Sequence, residues 1–219
     1  YNCLLAVDTV ASLGSVPVKM DEWGIDALYT GSQKCLSAPP GITPISFSKR
    51  AEQKIFSRKT PVAVYYLDMK CLGNYWNCYP EPIVYHHTGS ATLLYGIREA
   101  LAIVCEEGIE NSIRKHQMCA QRLYEGLDRL GLQPFIRDVN KRLPTITTIK
   151  VPDFINWKNA SQYAMKRYNF ELAGGIGPTL GKVFRIGLMG YNATVENVDY
   201  ALQVLEDSIK YASSKASKL

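Results

Sequence analysis

Leu4-Leu5-Ala6-Val7 is a short, unbroken apolar run that ends on Asp8. Apolarity on both faces over so few residues predicts a buried parallel strand with a polar residue at its carboxyl end. Residues 25–29 read as a second strand, followed by Thr30-Gly31-Ser32-Gln33-Lys34. Residues 42–47 read as a third, and Pro44 inside it predicts an edge position or a bulge. A polar helix is expected over 49–58, then a loop-dominated excursion to Pro82, rich in Tyr, Trp, Asn and Gly. From Thr92, the positions Leu93, Leu94, Ile97, Leu101 and Val104 recur at helical spacing until Gly108. A second long helix over 109–130 ends at Gly131. The pattern then turns β-branched over 145–151 and stops at Pro152. A helix over 157–168, a strand at 170–172, a glycine-rich loop at 174–181 and a strand at 183–186 follow. The last helix is expected over 194–211, with Thr194 at its start.

This order predicts an α/β chain in three parts. Residues 1–107 hold α/β elements with polar, chemistry-bearing loops. Residues 108–211 form a smaller α+β unit with strands of its own. Residues 212–219 read as a flexible tail.

Composition narrows the class. With 47% hydrophobic and 21% charged residues, the chain buries enough apolar surface to exclude disorder. The net charge of +5 is spread along the chain, whereas nucleic-acid binding needs a clustered basic face. No run approaches the roughly 20 apolar residues of a membrane-spanning helix. The six cysteines, at 3, 35, 71, 78, 105 and 119, form no C-x-x-C pair and read as reduced thiols, mostly buried. The sequence enters a strand pattern directly from Tyr1, which reads as the carboxyl-terminal part of a longer chain. It ends on Ser217-Lys218-Leu219, which reads as a peroxisomal address recognised by an import receptor.

Chemistry concentrates after the first two strands. Ligands of open α/β sheets bind beyond the carboxyl ends of strands, so Asp8 and Lys34 are placed to face one crevice. The small, nearly apolar context Gly31-Ser32-Gln33-Lys34-Cys35-Leu36 favours a neutral amine, which can attack a carbonyl. Pyridoxal phosphate uses such a lysine, with a carboxylate beside its pyridine nitrogen. Taken alone, the two residues read first as a surface ion pair. His86-His87, adjacent in an extended stretch, would point to opposite faces, so no metal site is expected. The loop before Val183 lacks the spacing of a phosphate-binding loop, because Lys182 is followed by Val183 rather than Ser or Thr.

The surrounding words decide between these readings. Val7-Asp8-Thr9-Val10-Ala11-Ser12-Leu13-Gly14 and Tyr29-Thr30-Gly31-Ser32-Gln33-Lys34 resemble class V pyridoxal-phosphate-dependent aminotransferases of fold type I. The likeness continues through Ala38-Pro39-Pro40-Gly41, Tyr85-His86-His87-Thr88, Arg142-Leu143-Pro144-Thr145, Gly174-Gly175-Ile176-Gly177 and Phe184-Arg185-Ile186-Gly187. It is greatest to the alanine–glyoxylate and serine–pyruvate branch, whose insect relatives include 3-hydroxykynurenine transaminases. The resemblance implies a partial large domain with a mostly parallel sheet, followed by a small α+β domain. It implies pyridoxal 5'-phosphate carried on Lys34, which then serves as the proton-moving base. Asp8 matches the partner of the pyridine nitrogen, Val10 the residue packed on the ring face, and Gln33 a neighbour of the phosphate. Tyr85 and Thr88 match residues reaching the phosphate from the other subunit of a homodimer. Arg185 matches the residue that binds the substrate carboxylate. The implied activity moves an amino group from alanine or serine to glyoxylate or pyruvate. Its alternatives are a 3-hydroxykynurenine transaminase and a truncated, non-catalytic chain that keeps the fold.

Overall fold

The computed structural model describes residues 3–216. Strands β1 (Ala6–Asp8), β2 (Ala27–Tyr29) and β3 (Ile45–Phe47) form one sheet in that order. β1 runs parallel to β2 with Asp8 opposite Tyr29, and β3 runs antiparallel to β2. Pro44 stays just outside β3, at the sheet edge, where its carbonyl still accepts the Thr30 amide at 3.0 Å. β1 departs from expectation, because Leu4 and Leu5 are exposed rather than buried. β1 ends this three-stranded order, so no further described strand covers its outer side.

Helix α1 (Lys49–Phe56) starts at Ser48, whose hydroxyl accepts the Ala51 amide at 3.1 Å and donates to Asp26 Oδ1 at 2.8 Å. Asp26 also accepts the Leu5 amide at 2.9 Å and pairs with Arg50 at 3.0 Å. One buried carboxylate thus joins β1, β2 and α1. Inside the expected loop lies a short helix, α2 (Met69–Tyr75), started by Asp68. Its pattern was hard to read because Gly73 sits mid-helix, where a Cβ would come within 2.7 Å of the Tyr79 ring.

Helix α3 (Ala91–Glu107) packs under the loop that follows β2, with Ile97 and Ala100 buried against Leu36 and Ala38. Gly108 takes a positive φ of 83° and turns the chain into α4 (Ile109–Arg129). Strands β4 (Ile146–Lys150), β5 (Ala173–Gly174) and β6 (Val183–Gly187) form a second, antiparallel sheet in the order β4-β6-β5. Helices α4, α5 (Trp157–Tyr168) and α6 (Val195–Ala216) pack around it. Leu123, Leu127, Phe184, Val198 and Leu205 are fully buried in this core, each worth about 1.5–3 kcal/mol relative to exposure.

Other boundaries differ. The strand expected at 170–172 forms at Ala173–Gly174, because Ser161 on α5 takes the Leu172 carbonyl at 2.9 Å. Residues 212–216 belong to α6, with Ala212 fully buried, so the expected flexible tail does not begin at 212. Ser217, Lys218 and Leu219 lie outside the described residues. All six cysteines are free, but Cys3, Cys78 and Cys105 are exposed, so burial is not their common feature. Among the described residues no helix is long and apolar enough to cross a membrane.

Candidate active site

Asp8 closes β1. Its Oδ1 accepts the Val10 amide at 2.8 Å, and its Oδ2 accepts the Tyr29 hydroxyl at 2.8 Å. That bond raises the Tyr29 pKa first, with burial and the carboxylate charge adding to it. Each carboxylate oxygen keeps a lone pair, so the group can accept a further donor. The loops after β1 and β2 are stitched together. The Thr9 amide and hydroxyl both donate to the Tyr29 carbonyl, at 2.9 and 2.7 Å, and the Thr30 hydroxyl donates to the Thr9 carbonyl at 3.1 Å.

Lys34 sits in the second of these loops. Ser32 anchors it by donating its amide to Ile42 at 3.1 Å and its hydroxyl to Pro39 at 2.6 Å. After Lys34 the chain dives inward. Cys35 and Leu36 are buried, and burial pushes the Cys35 thiol pKa up. Lys34 and Gln33 themselves are exposed. The apolar enclosure expected around the amine therefore stops one residue short of it, because the small neighbours pack inward beneath the lysine rather than over it. Two other expected residues approach Gly31 closely. A Cβ there would lie 2.8 Å from Gln33 Oε1 and 3.3 Å from Val10 Cγ1.

Arg185 sits mid-β6, on the second sheet, half-buried. Its Nε donates to the Gly174 carbonyl across the β5–β6 pair at 2.7 Å. This fixes the guanidinium while leaving its terminal nitrogens for a carboxylate. Gly174 is held in turn by Trp157, whose ring would lie 2.9 Å from a Cβ at that position.

Tyr85 and Thr88 are brought together, hydroxyl to hydroxyl at 2.6 Å, on an exposed segment. They pair with one another rather than with Asp8 or Lys34. The intervening histidines do not face opposite ways. Their Nδ1 atoms lie 2.9 Å apart, because the segment is irregular rather than a strand. His86 stacks on Tyr65 with ring centroids 4.2 Å apart. Among the described residues no group of three or more His, Cys, Asp or Glu could hold a metal ion.

Comparison with known proteins identifies the family. The model of the aminotransferase class-V family matches residues 1–200. The chain belongs to that family. It is 55% identical over 210 residues to the alanine–glyoxylate aminotransferase of Drosophila melanogaster, covering 96% of this chain and 53% of that protein. The enzyme of the same name from Felis catus is 50% identical over 213 residues, covering 97% and 51%. Among solved structures, an alanine–glyoxylate aminotransferase from Nostoc sp. superposes with a TM-score of 0.89 at 43% identity, over 94% of this chain and 54% of that one. A ureidoglycine–glyoxylate aminotransferase from Bacillus subtilis gives 0.89 at 34% identity, over 99% and 57%. The fold is that of the fold-type-I aminotransferases, and the chain spans about half the length of the curated relatives it matches.

Sequence reasoning passed over Tyr29 as a partner of Asp8, and Ser37, His116 and Gly190 entirely. Tyr29 carried a usable signal, since the last residues of neighbouring parallel strands fall side by side. The other three meet only through long-range folding.

Proposed function

We propose that this chain supplies the lysine, the ring-partner acid and the carboxylate clamp of an aminotransferase that moves an amino group from alanine or serine to glyoxylate or pyruvate. The observation that carries this reading is Asp8 at the end of β1, held by Val10 and Tyr29 beside the loop that presents Lys34. The residues present fit pyridoxal 5'-phosphate. Asp8 has a free lone pair for a pyridine N–H, the side chains of Val10 and Gln33 both approach Gly31, and Lys34 is accessible. When bound, that group supplies an electron sink for the electrons left when the substrate α-proton departs.

The chain's own residues do the rest. Asp8 would keep the ring nitrogen protonated, Val10 would pack against the ring, and Gln33 would lie beside the phosphate. Arg185 binds the substrate α-carboxylate through its planar fork. The Lys34 amine would serve as the base that takes the substrate α-proton. Tyr85 and Thr88, exposed and paired, are suited to grip the phosphate of a second copy in a homodimer. In the same reading, residues 1–107 are the end of the cofactor-binding domain and residues 108–211 the small domain. Ser217-Lys218-Leu219 would direct peroxisomal import where it closes the natural chain.

The test is borohydride reduction of the full-length, cofactor-loaded protein followed by peptide mapping. A stable adduct on Lys34 is the expected result, and an adduct on any other lysine overturns the assignment. Turnover of alanine against 3-hydroxykynurenine then separates the two donor classes.

A further inference from the structure

His116, on α4, is fully buried and makes two hydrogen bonds of opposite sense. Its Nδ1 lies 2.7 Å from the Ser112 carbonyl, which can only accept, so Nδ1 carries the proton. Its Nε2 lies 2.9 Å from the Gly190 amide, which can only donate, so Nε2 presents a lone pair. One neutral tautomer satisfies both.

Gly190 lies just past the end of β6, the strand that holds Arg185. Its φ is +57°, and a Cβ there would collide with Ser37 Oγ and lie 2.6 Å from the Cys35 carbonyl. The next amide, Tyr191, donates to Ser37 Oγ at 2.9 Å. Ser37 belongs to the Lys34 loop, and its own amide returns to the Lys34 carbonyl at 3.0 Å. Ser37 holds a φ of +61°, a conformation that costs a non-glycine residue about 1–3 kcal/mol and persists only where its surroundings impose it. One turn before His116, the Ser112 hydroxyl donates to the Gly14 carbonyl at 2.6 Å, in the loop that follows Asp8. A single face of α4 therefore meets the loops after β1 and β6, and through Gly190 the loop after β2.

We propose that His116 is a positioning residue, which sets the Arg185 strand against the Lys34 loop by holding the Gly190 amide. The inference rests on the roles given above to Lys34 and Arg185. A substrate clamped by its carboxylate presents its α-proton to Lys34 only if the two elements keep their spacing. Misplacement by about 1 Å can cost about a hundredfold in rate.

Three variants of the full-length, cofactor-loaded protein test it. In His116→Gln, the side-chain carbonyl reaches the Nε2 position and still accepts the Gly190 amide. In His116→Asn, the shorter amide keeps the bond within α4 and loses Gly190. Ser37→Ala removes the opposite side of the joint and leaves α4 untouched. We expect His116→Asn to lower kcat/KM for the amino donor about tenfold or more, with KM raised, and to speed hydrogen exchange at the Gly190 amide. His116→Gln should stay close to wild type in both, and Ser37→Ala should raise KM in the same sense. Equal impairment of the Gln and Asn variants, or a fall in Tm with KM and kcat unchanged, overturns the proposal. Should His116→Asn not fold, unchanged kinetics in Ser37→Ala overturn it alone. Borohydride labelling of the wild type is read separately. A missing Lys34 adduct sinks the functional reading, whereas a normal adduct with insensitive variants sinks only this one.

Discussion

Arg185 shows what a single side chain discloses before folding is known. A guanidinium amid Val183-Phe184 and Ile186-Gly187 needs an acceptor when half-buried, and the structure gives it one, the Gly174 carbonyl. Arg185→Lys removes the fork while keeping the charge. The KM for the amino donor should rise at least about tenfold, since a charge-assisted hydrogen bond is worth about 1.5–3 kcal/mol. Borohydride labelling at Lys34 should persist, and an unchanged KM would contradict the clamp. His116 discloses nothing of the kind from sequence, because its partner Gly190 lies on the far side of the chain. Its burial lowers its pKa below 6.5. The Ser112 bond opposes this, Lys115 adds to the lowering and Glu107 opposes it. The charged neighbours are thus the Lys115–Glu107 pair, joined at 2.7 Å from α4 and α3. The unfolded histidine binds its proton first, so its contribution to stability is whole above pH 6.5 and is lost as pH falls toward the folded pKa. Urea unfolding between pH 7 and about 5 should show falling stability in wild type and a flatter profile in His116→Gln. Within that window Asp26 and Asp199, both with lowered pKa, remain ionised and do not confuse the reading.

At the scale of elements, the strongly periodic segments were the legible ones. α3, α4 and α5 fall close to their expected spans, because apolar spacing and terminal glycine or asparagine agree there. The failures were short elements settled by a single side chain. Asp68 starts α2, and Ser161 delays β5 by taking the Leu172 carbonyl. No periodicity reports either event. α4 also contains a glycine that propensity would replace. Gly126→Ala ought to gain about 1 kcal/mol in an isolated helix. Here the added Cβ would run into the buried Leu202 side chain on α6, as close as 2.9 Å even to its Cγ. The branch point cannot swing away as a methyl end can, so α6 must shift. Overpacking of this kind costs about 1–3 kcal/mol. We expect a net loss of stability in urea, and a gain would show that α4 and α6 are free to separate.

Across the molecule the two sheets are unequally supported. α4, β4, β6 and α6 share a continuous core in which Leu123, Leu127, Ile149, Phe184, Val204 and Leu205 are fully buried. The cluster beneath the Lys34 loop holds four buried residues, Leu36, Ala38, Ile97 and Ala100. Between them, the segment from Val64 to Tyr85 leaves Tyr65, Tyr66, Leu67, Ile83, Val84 and Tyr85 largely exposed. The sequence announced this inequality only in part, by confining dense periodic patterning to residues beyond about 90. Burial itself depends on which faces meet, and no local pattern states that. Local opening is easiest where few apolar contacts must be broken. Amide exchange of the 219-residue chain should therefore be slowest in β4, β6 and the buried faces of α4 and α6. It should be intermediate in β2 and α3, and fastest over 60–90. Lys34 then stands on the less stable of the two supports, and the His116–Gly190 and Ser37–Tyr191 bonds tie its loop to the more stable one. In His116→Asn, exchange should accelerate in the Lys34 loop while β4 and the core of α6 keep their protection. Equal acceleration everywhere would mean that the chain opens as one unit, and that no such dependence of one support on the other exists.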